Sequence, residues 1–85
     1  MFYVYILQSL TNGNLYSGFS EDLKTRINTH FKKGVHSTKR MGELRLIFYE
    51  AYLSEKDARR REKYFKTTKG KRTLKLMLED SLKAP

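Results

Sequence analysis

The segment Phe2–Gln8, FYVYILQ, is apolar at both parities. Side chains alternate between faces along a strand, so Phe2, Val4 and Ile6 share one face and Tyr3, Tyr5 and Leu7 the other. A strand with two apolar faces must be covered on both sides, which predicts the central strand of a small sheet. TNGN (Thr11–Asn14) follows, and Asn-Gly is a strong hairpin signal. LYSGFS then returns as a second strand. A two-residue loop at Asn12-Gly13 pairs Tyr16 with Ser9. That register puts Tyr16 on the face of Tyr5, diagonal to it and several residues away, whereas an odd-length loop would flip it.

SEDLKTRINTHFKK reads as a helix. Ser20 can cap it, Glu21 and Asp22 suit its N-terminal end, and Leu23, Ile27 and Phe31 form its apolar stripe. Arg26 and His30 lie one turn apart along the edge of that stripe. After the basic loop GVHSTKRMG, the β-formers of ELRLIFYEAYL predict a third strand. Ser54, with Asp57 three positions on, resembles a capping box and starts a second helix running to about Thr68, with Gly70 as its stop. Leu74, Met77, Leu78 and Leu82 repeat at helical spacing and predict a last helix. The expectation is one α+β domain over residues 1–85, a three-stranded antiparallel sheet flanked by helices in the order ββαβαα.

Charge narrows the partner. The 85 residues carry 18 Lys or Arg against 9 Asp or Glu, a net +9 with a pI near 9.9. A basic chain of this size is drawn to polyanions through phosphate neutralisation and counterion release, so nucleic acid is the leading partner. Lys39, Arg40, Arg59, Arg60, Lys63 and Lys66 are the candidate phosphate contacts. No apolar run reaches membrane-spanning length, and the N-terminal apolar segment lacks the basic start of a signal peptide. The chain has no cysteine, so disulfides and thiolate metal sites are excluded; a reducing cytoplasm fits that usage. There is no phosphate-binding loop, no glycine-rich dinucleotide motif and no candidate Ser-centred triad.

One carboxylate stands out. From Ala58 to Leu78 the chain holds nine basic residues and a single acid, Glu62. On a helix Glu62 shares a face with Ala58 and Phe65, where a core side chain is expected. The structural reading pairs it with Arg59, Arg61 or Lys66. The functional reading makes it a general base or a ligand for a hard divalent cation, which needs oxygen donors and often takes only one or two carboxylates plus substrate phosphate. Arg26 with His30 offers a phosphate clamp and a proton carrier. Tyr5 or Tyr16 can act as a base only where a nearby cation lowers its pKa from about 10.

YVYIL, LYSGFSEDLKTRINTH and REKYFK, in that order over about Phe2–Met77, together resemble the GIY-YIG nuclease superfamily, most closely its small bacterial members. YVY stands for the first short motif, with Tyr5 its tyrosine. YSG stands for the second, with Tyr16 and Gly18. The resemblance matches the family arginine to Arg26, the frequent His to His30 and the cation-binding glutamate to Glu62. Tyr3 replaces the first glycine of the family name, Ser17 replaces the second motif's isoleucine, and the Asn that some larger members carry late in the site has no counterpart after Asn28. The resemblance implies a metal-dependent endonuclease with one Mg²⁺- or Mn²⁺-class ion, acting on DNA by structure rather than sequence, in repair or recombination. Arg26 would neutralise the scissile phosphate, a tyrosinate at Tyr5 or Tyr16 would activate water, and His30 would relay the proton. The expected geometry is convergence of Tyr5, Tyr16, Arg26, His30 and Glu62 on one concave surface. The competing reading is a non-catalytic, basic nucleic-acid-binding module. A third is a nuclease domain that cuts only when joined to a partner.

Overall fold

A computed structural model describes all residues, 1–85. Strand β1 is Phe2–Ser9, β2 is Leu15–Ser20 and β3 is Leu44–Tyr52. Helix α1 is Leu23–Phe31, α2 is Glu55–Phe65 and α3 is Thr68–Met77, followed by a single 3₁₀ turn at Ser81–Lys83. The sheet is antiparallel in the order β2-β1-β3, so β1 is central, and the fold is α+β in the order ββαβαα.

The two apolar parities of β1 are used as its sequence requires. Val4 and Ile6 pack with Ala58, Phe65, Leu74 and Leu78 of the α2–α3 layer. Tyr5 and Leu7 pack on the opposite side with Ile27 of α1 and Leu44 of β3. Val4, Tyr5, Ile6 and Leu7 are all fully buried. Burying each such large apolar side chain contributes about 1.5–3 kcal/mol, so this one strand anchors both layers.

The hairpin register differs from the sequence reading. Gln8 pairs with Leu15 and Leu7 with Tyr16. Ser9 N–H donates to Asn14 O and Gly13 N–H to Ser9 O. The loop is therefore Leu10–Gly13 rather than Asn12-Gly13 alone. Gly13 takes the left-handed conformation at φ 79°, and Asn12 Oδ1 accepts from Asn14 N–H. A slip of two positions preserves the faces, so Tyr16 still lies on the side of Tyr5 but much nearer to it, because Tyr5 sits opposite Gly18.

Two helix boundaries also shift. Asp22, not Ser20, caps α1, its Oδ1 accepting from Thr25 N–H at 3.1 Å. Ser20 Oγ is occupied one step earlier, with the backbone of Asp22. Ser54 does precede α2, but its side chain makes no capping bond. Helix α2 ends at Phe65, and Gly70 lies inside α3 instead of stopping α2. A Cβ at Gly70 would stand 1.9 Å from the Tyr64 carbonyl oxygen, so glycine here permits the close approach of α3 to the end of α2. Thr67 caps α3 by accepting from Gly70 N–H at 3.0 Å.

Candidate active site

Helix α1 faces the sheet differently from its predicted stripe. Phe31 is 46% exposed and His30 is fully buried. The loop between α1 and β3 folds back over that ring, burying Val35 and Thr38. Gly42, at φ 76°, and a Lys33 Nζ donation to the Gly42 carbonyl help return the loop.

Beneath the loop lies a chain of polar groups, half-buried at Arg26 and fully buried from Tyr5 onward. Arg26 Nε donates to Tyr5 Oη at 3.4 Å. Tyr5 Oη meets His30 Nε2 at 2.7 Å, and His30 Nδ1 meets Thr38 Oγ1 at 2.7 Å. With Tyr5 accepting from Arg26, the tautomer in which the phenol donates to Nε2 and Nδ1–H donates to Thr38 gives every one of these buried groups a partner. Burial raises the Tyr5 phenol pKa, outweighing the hydrogen bond from Arg26 that lowers it. Tyr5 is therefore the protonated donor in this chain, not the resting tyrosinate that the sequence reading allowed.

Burial, reinforced by the Arg26 charge, lowers His30 to about 4. The ring is neutral at neutral pH. A freely solvated His protonates near 6.5, so unfolding takes up a proton between about 4 and 6.5. Stability is thus fully present above about 6.5, falls on acidification through that window, and levels off below it, a change of about 3 kcal/mol. Urea unfolding at pH 7 and pH 4.5 measures it. His30→Gln should remove most of that difference; an unchanged pH dependence in the variant would contradict the assignment.

Tyr16 completes the cluster from the neighbouring strand. Its ring lies 6.4 Å from Tyr5 and 5.3 Å from His30 between centroids. It also contributes to raising the pKa of Arg26, behind the larger effect of Tyr5. Gly18 makes room for the arrangement, since a Cβ there would fall 2.3 Å from Tyr5 Cζ.

Tyr5, Tyr16, Arg26 and His30 are thus brought together on the α1 side of the sheet. Glu62 comes from α2, in the layer that packs on the opposite side. Its carboxylate accepts from Lys66 Nζ at 3.2 Å, the pairing that the structural reading named. Lys66 in turn stands 6.0 Å over the Tyr16 ring, and the Glu62 charge contributes to raising Tyr5. Glu62 therefore communicates with the cluster around edge strand β2, not from the same helix layer.

The candidate phosphate contacts divide. Arg59 pairs with Glu55 at 3.3 Å and stacks 3.8 Å over Phe19, while Arg60 pairs with Asp57 at 3.0 Å. Lys63, Lys39 and Arg40 are exposed and make no ion pair. Two groups escaped the sequence reading. Thr38 lay inside a run read only for its charge, with no periodic signal to mark it as buried. The lysines of α3 were counted in the net charge but not placed.

The family model for the GIY-YIG catalytic domain matches residues 1–75. The chain belongs to the GIY-YIG family. Members of this family are nucleases, generally using divalent metal ions. A UPF0213 protein of Streptococcus agalactiae is 38% identical over 65 residues, covering 75% of this chain and 73% of its own length. One from Clostridium perfringens is 32% identical over 84 residues, 98% of this chain and 89% of its own. The solution NMR structure of the UPF0213 protein BH0048 from Bacillus halodurans superposes with a TM-score of 0.57 at 33% identity, covering 91% of this chain and 85% of that one. This GIY-YIG chain has no helix long and apolar enough to cross a membrane.

Proposed function

We propose that this GIY-YIG chain, over residues 1–85 as one domain, is a divalent-metal-dependent endonuclease that cleaves DNA by structure rather than sequence. The observation that carries the reading is the chain from half-buried Arg26 through buried Tyr5, His30 and Thr38, with the half-buried Tyr16 against it. A purely structural tyrosine pair does not need a cation, a neutral imidazole and a fitted glycine around it.

The donor set suits a hard cation. No three His, Cys, Asp or Glu side chains cluster closely enough to hold one ion among themselves, so the chain offers no closed cage of such ligands. The Glu62 side chain is 18% exposed and offers carboxylate oxygens at the β2 edge. Mg²⁺ and Mn²⁺ accept such a minimal set, retaining waters and taking phosphate oxygens. Bound at Glu62, the ion would supply charge stabilisation to the phosphate and the leaving oxygen. Lys66 has to swing from Glu62 for this, at small cost, because its side chain is 53% exposed and an i,i+4 helix pair holds only about 0.3–0.5 kcal/mol.

The remaining roles belong to the chain itself. Arg26 binds the scissile phosphate, its guanidinium oriented by Tyr5. Tyr16 is the phenol that water can reach, whereas Tyr5 is fully buried, so Tyr16 Oη orients the attacking water and, once it has given its own proton to solvent, takes one from that water as the phenolate. His30 holds Tyr5 in place as the acceptor of its proton. Cleavage assays on nicked, branched, flapped and single-stranded DNA, with and without Mg²⁺ or Mn²⁺, test the proposal. No cleavage of any substrate with either ion would refute it.

The Glu62–Lys66 pair favours one competing reading, a basic module that binds nucleic acid without cutting it. Both readings share an electrostatic prediction. Duplex affinity should fall steeply with salt, each phosphate contact adding about 0.9 to the log–log slope. A slope near zero would remove nucleic acid as the partner; a steep slope without cleavage would leave the binding module.

A further inference from the structure

The positive charge of this chain is not spread evenly once its ion pairs are drawn. Three cations of α2 and the Lys66 that follows it each have an acid: Arg59 has Glu55, Arg60 has Asp57, Arg61 has Glu50 and Lys66 has Glu62. Helix α3 carries Lys69, Lys71, Arg72 and Lys75, contains no acid, and enters no ion pair. Lys71 and Lys75 lie one turn apart on the same face, where like charges repel until an anion comes between them.

That face borders a groove of about 570 Å³. Its volume falls within the roughly 300–1,000 Å³ of small-ligand sites. Tyr16 forms one wall beside the β1–β2 turn. The half-buried Leu15 and Met41 give an apolar floor, and Lys66, Lys71 and Lys75 form the rim. A second groove of similar size, on the sheet beside α1, has Glu21 and Asp22 against Lys24 in its lining, a net negative charge. The two grooves differ in the sign of their charge, and the cationic one opens at Tyr16.

The geometry points to this groove as the seat of an unpaired nucleotide beside the cleaved bond, its base on the apolar floor and its phosphates on Lys71 and Lys75. A duplex presents phosphates outward and keeps its bases stacked, so it would use the lysine rim and leave the floor empty. An unpaired base has an apolar π-face that can stack on the Tyr16 wall and lie over this floor. The assignment rests on the nuclease reading for its position relative to the cut, but not for binding. It names α3, rather than the arginines of α2, as the principal contact for the strand leaving the duplex.

The test is binding of a short oligothymidylate, read by fluorescence anisotropy across a salt series. Each phosphate contact to a single strand adds about 0.7 to the slope, so Lys71→Gln with Lys75→Gln should lower it by about 1.4. Arg59→Gln with Arg60→Gln should lower it by less than about 0.5, since those cations are already paired. All four positions are exposed, so both variants keep the fold. In a parallel amide-shift titration of the wild type, Leu15, Tyr16 and Leu74 should move with the oligonucleotide. An unchanged slope in the Lys71/Lys75 variant, or shifts confined to the Arg59–Arg60 surface or to Lys39–Arg40, overturns the inference. Cleavage is scored separately: binding through α3 without cleavage defeats only the nuclease reading, and cleavage with an unaltered slope defeats only the groove.

Discussion

Glu62→Gln is expected to fold as the parent does, to bind DNA at least as tightly, and to lose about 10³-fold of its cleavage rate. The rate figure follows from metal stabilisation of the transition state being worth several kcal/mol, with each 1.36 kcal/mol a factor of ten. The unchanged stability follows from the geometry. Lys66, the partner of Glu62, is 53% exposed, so removing the carboxylate returns the ammonium to water instead of stranding it. The loss should be within about 0.5 kcal/mol. A buried pair would have cost about 3–5 kcal/mol and blurred the interpretation. Thermal unfolding, affinity and cleavage measured on this one variant separate the alternatives. An equally active protein would end the case for Glu62 as the metal ligand.

Gly18→Ala should be the most damaging small substitution at the site, lowering stability by about 3 kcal/mol. Strand propensity alone argues the other way, since alanine is favoured over glycine by roughly 0.5–1 kcal/mol. Sterics decide the sign. The new methyl would stand 2.3 Å from both Tyr5 Cζ and Tyr5 Oη, and the buried ring has nowhere to retreat. For a chain of this size the melting temperature should drop by about 12–24 °C. Activity should fall further than stability explains, because the displaced phenol releases Arg26 and His30 together. Adding Tyr5→Leu should recover part of the stability and none of the activity. A Gly18→Ala variant as stable as the parent would show that the ring is not confined.

The sheet was legible because its signals are local. Two apolar parities made β1 central, and Asn-Gly marked the hairpin. The exact register was not, since turns of even length slipped by two positions give the same face pattern, and only the bond from Gly13 to Ser9 decides between them. Gly70 misled for a related reason. Glycine at a helix end usually supplies a left-handed residue, but here it supplies closeness to Tyr64, a contact between two helices that no single-helix pattern encodes. Among the candidate site residues, Arg26 and His30 were readable as neighbours on one face. That His30 is buried depends on a distant loop bringing Thr38 over it, which periodicity within α1 cannot reveal. That Glu62 approaches the cluster from the α2 layer, around the edge of β2, was hidden for the same reason. Sequence reading gives a helix its faces but not the side of the sheet on which it lands.

The placement of Tyr5 has a consequence for how this protein fails. Strand β1 is bonded along both edges and covered on both sides, so its amide hydrogens should exchange with solvent only when the whole molecule opens. Tyr5 belongs to that last-opening segment. The proposed catalytic apparatus therefore has no soft hinge of its own at this strand. Under denaturant, loss of activity should track loss of the sheet in a single transition, with no folded but idle population between them.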